Sequence, residues 1–500
     1  MINRHLDQAR APIYEAIVAH AQRHPASYHI PGHKSGHGVD SSAKAYFKKM
    51  MSIDLTELPG LDDLHQPEGV IDEAQQLAAQ CFGAQESFFL VGGSTVGNLA
   101  MILSTCERND VLIVQRNAHK SIIHGLMLAG VQAVFITPYQ DSTHGVTEII
   151  SYEDVEQALQ NYPQAKGLLI TNPDYYGLSI DLQPIASLLH QCDMLLMVDE
   201  AHGAHFGFHP SLPRSALSCG ADIVVQSTHK MLTSMTMGAI LHLQGNRVNV
   251  THLKQTLGML QSSSPSYPIL ASIDLARRQI YHHGQRMLTQ SVETIRTFRN
   301  KVSMRLPCFG QNPNADTNSS WRQDPFKITL TDLSGTLTGH QIKEQLELRG
   351  CYPELSNERQ VLLICTIATS KSEMERLYDA LVQICEQERL QKKELTHPTS
   401  NRVYLPRNAV LSKPTRINLP NSRSSSTRAT QGIPIADIDQ AIGKLAAETI
   451  IPYPPGIPLW FQGEIITASM TSHLKQLAAQ GVHFQGTSTS KLAYIHIFNS

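Results

Sequence analysis

The stretch MLLMVDEAH, residues 194–202, constrains the fold of this chain more than any other. Its first five residues are all apolar, which is typical of a strand that is covered on both faces of a sheet. Similar apolar runs recur from Phe88 onward and alternate with helical patterns such as those at 152–159 and 185–191. This alternation favours a mainly parallel sheet with crossover helices. The sequence therefore predicts an α/β fold.

Polar side chains follow the predicted strands at the points where those strands end. In parallel sheets, ligands bind beyond the carboxyl ends of the strands. Taken singly, these residues have ordinary explanations, such as a surface lysine, a turn carboxylate or a buried histidine, and it is the set that indicates a site. Its members are Ser94, Thr95, His119, Pro173, Asp199, His202, Ser227, His229 and Lys230.

The chemistry of this set suits pyridoxal phosphate. A carboxylate such as Asp199 keeps the pyridine nitrogen of that cofactor protonated, and a lysine such as Lys230 holds its aldehyde as an imine. The Gly-Gly turn before Ser94 and Thr95 opens a helical pattern, whose first backbone N–H groups suit a phosphate. The same turn is neither a dinucleotide fingerprint nor a Walker loop.

Composition limits the partners and the compartment. The net charge of −2 gives no indication of nucleic acid or an anionic membrane as a partner. The eight cysteines have no paired spacing and the N-terminus lacks the apolar core of a signal peptide, so the predicted compartment is the cytoplasm. A glycine-rich loop holds His29, His33 and His37, but no cysteine or carboxylate completes a metal site there, and no metal is predicted.

Seven motifs, in chain order, resemble those of the bacterial ornithine/lysine/arginine decarboxylase family of fold type I pyridoxal-phosphate enzymes. They are PGHKSG, LDDLHQPEG, RNAHKS, DEAHGAHFGFHP, QSTHK, SSSPSY and IIPYPPGIPL. The likeness is nearly continuous from residue 10 to residue 285 and resumes around 445–465. The chain is similar to the short form of the family, which lacks the N-terminal wing domain of the inducible enzymes.

The resemblance implies roles for individual residues. Lys230 is expected to form the internal aldimine, Asp199 to pair with the pyridine nitrogen, and His119 to stack on the ring. His202 is expected near the face or edge of the ring, and Ser263 is expected to reach the cofactor of a neighbouring subunit. The residues expected around the phosphate are Ser94, Thr95, Ser227 and His229. The catalytic set on this reading is Lys230, His119, Asp199 and His229.

The implied reaction is the decarboxylation of a basic L-amino acid, with arginine to agmatine and carbon dioxide ranked first, then lysine, then ornithine. Polyamine metabolism and a homodimer or larger homo-oligomer come with that resemblance. Another pyridoxal-phosphate reaction, such as transamination, and a catalytically weak regulatory homologue stay open. A buried cationic side chain needs a carboxylate partner, and the candidates are Asp62, Asp63 and Glu464.

The resemblance also divides the chain. An N-terminal arm and helix (1–50) precede an aspartate aminotransferase-like large domain that binds the cofactor (51–288). A smaller α+β domain (289–396), a linker or flexible insertion (397–435) and a C-terminal domain (436–500) follow. Two features depart from the family. Met237 replaces an expected Gln seven positions after Lys230, and residues 406–434 are rich in Ser, Arg, Asn and Pro.

Overall fold

The structure is a computed structural model that describes residues 6–140, 148–312, 321–394, 415–417, 430–453, 456–479, 481–487 and 492–498. Its first helices are α1 (Pro12–Gln22), α2 (Lys44–Met51), α3 (Val70–Phe82), α4 (Gly93–Thr105), α5 (Lys120–Ala129), α6 (Tyr152–Asn161), α7 (Gln183–Gln191), α8 (Thr228–Met231), α9 (Val250–Leu260) and α10 (Tyr267–Arg305). The strands among them are β1 (Glu86–Leu90), β2 (Val111–Gln115), β3 (Gln132–Ile136), β4 (Tyr139–Gln140), β5 (Glu148–Ile149), β6 (Ala165–Thr171), β7 (Leu178–Ile180), β8 (Leu195–Asp199), β9 (Ile223–Gln226) and β10 (Ala239–Leu243).

Shorter elements make up the remainder of the chain. Its helices are α11 (Gly339–Glu347), α12 (Lys371–Glu394) and α13 (Ala468–Ala479). Its strands are β11 (Phe309–Gln311), β12 (Trp321–Gln323), β13 (Lys327–Asp332), β14 (Leu355–Ser356), β15 (Gln360–Ile364), β16 (Thr415–Ile417), β17 (Thr430–Pro434), β18 (Ile451–Tyr453), β19 (His483–Gln485) and β20 (Tyr494–Phe498).

An eight-stranded sheet with the order β1-β10-β9-β8-β6-β2-β3-β16 organises the molecule. The strands from β9 through β8, β6 and β2 to β3 run parallel. β10 is antiparallel to both of its neighbours, so β1 and β9 have the same direction. The carboxyl ends of β1, β2, β3, β6, β8 and β9 therefore meet at one edge of the sheet.

Strand β8 is covered on both faces, as its apolar sequence predicts. Met197 lies in a core cluster with residues of α4, α5 and α9, such as Leu253. Leu196 and Val198 point the other way, into a cluster with residues of α6 and α7 such as Ile185. The prediction of a mainly parallel α/β fold is thereby confirmed.

The small antiparallel sheet β11-β13-β15-β14 packs on the long helix α10 and on the loop that follows β8. One buried cluster contains Phe206 from that loop, Leu288 and Ile295 from α10, and Ile328 from β13. Helix α10 runs without interruption through residue 288, where the sequence predicts a boundary between domains. The first residues of β13 thus lie against the loop after β8.

The last part of the chain forms two-stranded sheets, β17 with β20 and β18 with β19, around the buried Trp460. Of the predicted linker, residues 397–414 and 418–429 lie outside the described residues. Residues 415–417 form β16, which pairs with β3 at the edge of the large sheet. No helix in the described ranges is both long enough and apolar enough to cross a membrane.

Candidate active site

The buried carboxylate of Asp199 lies at the carboxyl end of β8. Its Oδ2 accepts a hydrogen bond from Nδ2 of Asn98 at 2.9 Å, and its Oδ1 accepts one from the backbone N–H of Ala201 at 3.1 Å. Asn98 belongs to α4, so the helix that starts after β1 fixes the orientation of this acid. The arrangement places a carboxylate at the edge where the strands end.

His119 is connected to the same network. Asn98 donates from Nδ2 to Oγ of Ser121 at 2.9 Å, and that hydroxyl lies 2.8 Å from Nδ1 of His119. The backbone N–H of Ser121 also donates to Nδ1, which makes His119 the N-cap of α5. Burial lowers the pKa of His119 to about 4 against the opposing charge of Asp199. The ring is therefore neutral near pH 7 and suited to stack on a flat ligand.

Lys230 follows β9 in the short helix α8, next to His202. Its Nζ is 3.1 Å from Nε2 of His202, and the ring of Tyr175 lies 4.5 Å from that of His202, measured between centroids. Burial lowers the pKa of Lys230, while Asp199 and Glu354 oppose that shift. A desolvated lysine of this kind becomes a free amine more readily than a surface lysine does.

The start of α4 and the loop around Lys230 are joined at the same edge. The backbone N–H of Gly93 donates to the carbonyl of Met237 at 2.8 Å. Met237 has a left-handed backbone (φ 76°), and its side chain is 49% exposed. Its contribution here is therefore a backbone carbonyl that fastens the helix start, where Ser94 and Thr95 lie.

Two further residues complete this end of the site. His229 is bonded through Nδ1 to the carbonyl of Gly238 at 2.9 Å, which leaves Nε2 as an acceptor, and burial lowers its pKa. Oγ of Ser227 is buried and makes no hydrogen bond among the described residues. A buried hydroxyl without a partner is costly and indicates a site for a polar ligand atom.

These observations fit pyridoxal phosphate. The unpartnered Ser227 hydroxyl and the helix start with Ser94 and Thr95 match a phosphate. The buried Asp199 matches a protonated ring nitrogen, and Lys230 supplies the amine. Hydrogen bonds through Asn98 and Ser121 connect Asp199 with His119, and burial and the charge of Lys230 lower the pKa of His119.

Asp62 is engaged within its own loop. Its Oδ1 accepts from the backbone N–H of Glu68 at 3.0 Å, and its Oδ2 accepts from those of Gly69 and Ile71 at 2.8 and 2.9 Å. Burial favours the neutral acid, but these bonds outweigh it and lower the pKa of Asp62. Its position, with φ 70°, makes it the residue that holds the loop to the start of α3.

Asp63 and Ser263 both lie on the exposed surface. Asp63 accepts from the backbone N–H of His65 at 2.8 Å, and Nε2 of His65 is 2.8 Å from the carbonyl of Ser262. No hydrogen bond or ion pair within the described ranges joins this surface to Lys230 or Asp199. Asp62 and Asp63 stay predictions for the partner of the distal charge of the substrate, and Ser263 stays a prediction for the cofactor of a neighbouring subunit.

Glu464 is paired with Arg116, the residue after β2. The two Glu464 oxygens lie 3.2 and 2.9 Å from Nη2 of Arg116, and Oε2 also accepts from the backbone N–H of Phe461 at 2.8 Å. Both charged side chains are mostly buried. Removing one charge of such a pair leaves the other uncompensated, so the contact holds the C-terminal part to the sheet.

The same C-terminal part covers His119. The carbonyl of Gly456 accepts from the backbone N–H of Lys120 at 3.1 Å, and a Cβ at position 456 would lie 3.5 Å from Nε2 of His119. Gly456 has φ 89°, a conformation that favours glycine. The IIPYPPGIPL motif thus places backbone, without a side chain, against the histidine ring.

Sequence reasoning missed four residues of this site: Asn98, Tyr175, Lys327 and Glu354. Nζ of Lys327 is 2.9 Å from Nδ1 of His202, although the sequence marks Lys327 only as the start of a strand in the smaller sheet. Glu354 hydrogen-bonds with Tyr175, and its charge opposes the lowering of the pKa of Lys230 by burial. Neither residue stands in a motif, so no local signal points to either of them.

Comparison with known proteins agrees with this geometry. The family model described as Orn/Lys/Arg decarboxylase, major domain, matches residues 11–373, and the model of its C-terminal domain matches residues 407–490. The chain belongs to the Orn/Lys/Arg decarboxylase family. It is therefore a pyridoxal-phosphate-dependent decarboxylase, and the predictions of family, reaction class and cofactor are confirmed.

Individual relatives extend over nearly the whole chain. An uncharacterized protein of Bacillus subtilis, YaaO, is 40% identical over 477 residues, 95% of this chain and 96% of that protein. An arginine decarboxylase of B. subtilis is 35% identical over 496 residues, 98% of both. The solved constitutive lysine decarboxylase of Escherichia coli has a TM-score of 0.79 at 20% identity, over 99% of this chain and 82% of that one. The likeness to the E. coli structure supports the fold described above for this chain.

Proposed function

We propose that this decarboxylase acts on L-arginine and produces agmatine and carbon dioxide. The observation that carries the substrate is the set of Bacillus relatives named arginine decarboxylase, which are 34–35% identical over 92–98% of this chain. Relatives named lysine decarboxylase are 22–24% identical, and the match covers 75–80% of their own length.

The cofactor would be held by the residues that meet at the strand ends. Ser94, Thr95, Ser227 and His229 would bind its phosphate, and Asp199 would hold the proton of its ring nitrogen. When bound, pyridoxal phosphate supplies a ring that withdraws electrons from the substrate carbon. The neutral ring of His119 would lie flat against it, and the backbone of Gly456 would keep water away from that side.

Glu354 is our candidate for the distal guanidinium. Glu354 is an exposed residue in the bend before β14. It hydrogen-bonds with Tyr175, and its charge favours the charged forms of Lys230 and Lys327. In this subunit the oxygens of Asp62 are occupied by backbone N–H groups, whereas Glu354 is bonded to one phenol. A carboxylate binds a planar guanidinium through two oxygens, which an ammonium does not require.

A panel of arginine, lysine and ornithine, with release of carbon dioxide and identification of the product, tests this proposal. We expect the highest kcat/KM with arginine. Glu354→Gln should raise KM for arginine about tenfold or more, since a guanidinium loses its charged partner, while kcat should change less.

Glu358→Gln is a matched control, because that acid is also exposed, lies on the other side of β14 and has no contact with the cofactor residues within the described ranges. A higher kcat/KM with lysine or ornithine would contradict the substrate. Formation of a keto acid without carbon dioxide would show transamination instead.

We further propose a homodimer or larger homo-oligomer. The support is the exposure of Ser263, which makes no hydrogen bond to Lys230 or Asp199 of its own subunit within the described residues. Gel filtration with activity assays of the fractions should place all activity at twice the 55.3 kDa of one chain or above. A fully active monomer would contradict this assignment and the role of Ser263.

A further inference from the structure

A wholly buried lysine, Lys327, lies one histidine ring away from Lys230. Its Nζ is 2.9 Å from Nδ1 of His202, and Nε2 of the same ring is 3.1 Å from Nζ of Lys230. Lys327 is the first residue of β13 and none of its surface reaches solvent. The binding of cofactor and substrate described above gives this side chain no task.

The hydrogen-bonding capacity of the three groups limits their protons. A neutral imidazole has one N–H donor and one lone pair. Because each ring nitrogen faces an amine, the lysine beside the ring N–H must accept as a free amine, while the other lysine can donate to the ring as an ammonium. An imidazolium between two free amines is disfavoured, since burial, Lys230 and Lys327 lower the pKa of His202 well below its usual value. The contacts are all satisfied when the two lysines share a single charge.

Lys327 can give up its own charge at mildly alkaline pH. Burial lowers its pKa to about 8, and Asp324 opposes that shift. The carboxylate of Asp324 is shared with His205, whose Nε2 lies 3.2 Å away in an equally buried position. Burial also lowers the pKa of Lys230, while Asp199 favours its charged form and Glu354 favours the charged forms of both lysines.

The other ionisable groups that face this pair agree with one retained charge. The carboxylates favour one positive charge on the two lysines, and the neutral histidines and the guanidinium of Arg299 disfavour a second positive charge. These groups are Asp174, Asp199, Asp324, Glu354, His119, His229 and Arg299, the last of which donates to the carbonyl of Lys327.

We propose that His202 and Lys327 form a relay that accepts the proton Lys230 must lose before its amine can react with the aldehyde of the cofactor. The Nζ–H bond of Lys230 breaks as an N–H bond forms at Nε2 of His202. The Nδ1–H bond of His202 breaks as an N–H bond forms at Nζ of Lys327. The ring changes its tautomer, and the three groups keep a total charge of one. The inference rests on the assignment of Lys230 proposed above.

The test is the rate at which full-length protein stripped of cofactor takes up pyridoxal phosphate, followed by absorbance at pH values on either side of 8. In the wild type the rate should rise around the pH at which Lys327 becomes a free amine. Lys327→Met removes that acceptor at nearly the same volume. It should slow uptake about tenfold at pH 8 and move the midpoint up by about one pH unit.

His202→Phe provides an independent variant, because it breaks the relay and keeps a ring in place. It should shift the midpoint as Lys327→Met does, and the double variant should shift it no further. Lys343→Met is the control and should leave the pH profile of cofactor uptake unchanged. Lys343 lies on α11, which contacts strands of the same small sheet, and it pairs with Glu347. If Lys327→Met does not fold, as judged by circular dichroism, the midpoint of His202→Phe decides.

A purely structural role predicts slower uptake by the same factor at every pH, and that result would overturn the relay. So would an unmoved midpoint in His202→Phe. Borohydride reduction and peptide mapping of the same samples separate this failure from that of the Lys230 assignment. A label on Lys230 with an unmoved midpoint overturns the relay alone, and a label on another lysine overturns both.

Discussion

Replacing Lys230 with Ala is expected to lower kcat by about a thousandfold or more, which corresponds to about 4 kcal/mol of lost transition-state stabilisation. The variant keeps Asp199, His119 and the phosphate-binding residues, so it should still hold pyridoxal phosphate without a covalent bond. It lacks the lysine amine that would exchange with the substrate amine at the aldehyde carbon of the cofactor. Initial rates of carbon dioxide release at saturating cofactor measure the loss.

Borohydride reduction followed by peptide mapping provides the structural half of this experiment. In the wild type the pyridoxyl label should appear on the peptide that contains Lys230, and in Lys230→Ala it should disappear. Lys254→Ala is the control, because this exposed lysine pairs only loosely with Glu86 at 3.3 Å. A label on a different lysine, or activity of Lys230→Ala within about tenfold of wild type, would contradict the assignment.

Asp199→Asn should lower kcat by about a hundredfold to a thousandfold, or about 3 to 4 kcal/mol. The amide can keep a hydrogen bond to Asn98, but it carries no negative charge to hold a proton on the ring nitrogen. Asp199→Glu should restore part of the activity, because it returns the charge at a shifted position. The absorbance spectrum of the bound cofactor should change along with kcat.

Asp222→Asn is a matched control for that variant. Asp222 is also buried in the sheet, but it accepts from the backbone N–H of Leu196 near the opposite end of β8. Its replacement should lower Tm and leave kcat per folded molecule nearly unchanged. If both variants lost activity only in proportion to their unfolded fraction, Asp199 would act through stability and not through the cofactor.

The fold could be predicted because it depends on patterns within short stretches. The apolar run of β8 alone requires cover on both faces, and Met197 and Leu196 show that cover. Polar residues directly after strands could likewise be placed at one edge, since parallel strands end together. The hydrogen bond between the backbone N–H of Gly93 and the carbonyl of Met237 depends on the antiparallel strand β10, which the sequence does not reveal.

The remaining features depend on partners that are distant in sequence. Lys327 and His202 are 125 residues apart, and nothing in the strand pattern of KITLTDL distinguishes its first lysine from a surface residue. Asp62 stands in a family motif and Glu464 lies shortly after one, and both look available, but their oxygens are occupied by backbone N–H groups and by Arg116. Whether a carboxylate is already paired cannot be known from its neighbours in the chain.

The cover that Gly456 places over His119 has a consequence for how the enzyme is made. The Arg116–Glu464 pair that anchors this cover joins residues 348 positions apart. At the usual pace of about 5–20 residues per second, a ribosome needs roughly 20 to 70 seconds to travel between them. Once residue 230 has been added, the nascent chain has its lysine and its acid but an uncovered histidine until residues 456 and 464 follow. Chains that end between residues 230 and 456 therefore carry the proposed catalytic side chains and still lack a closed site.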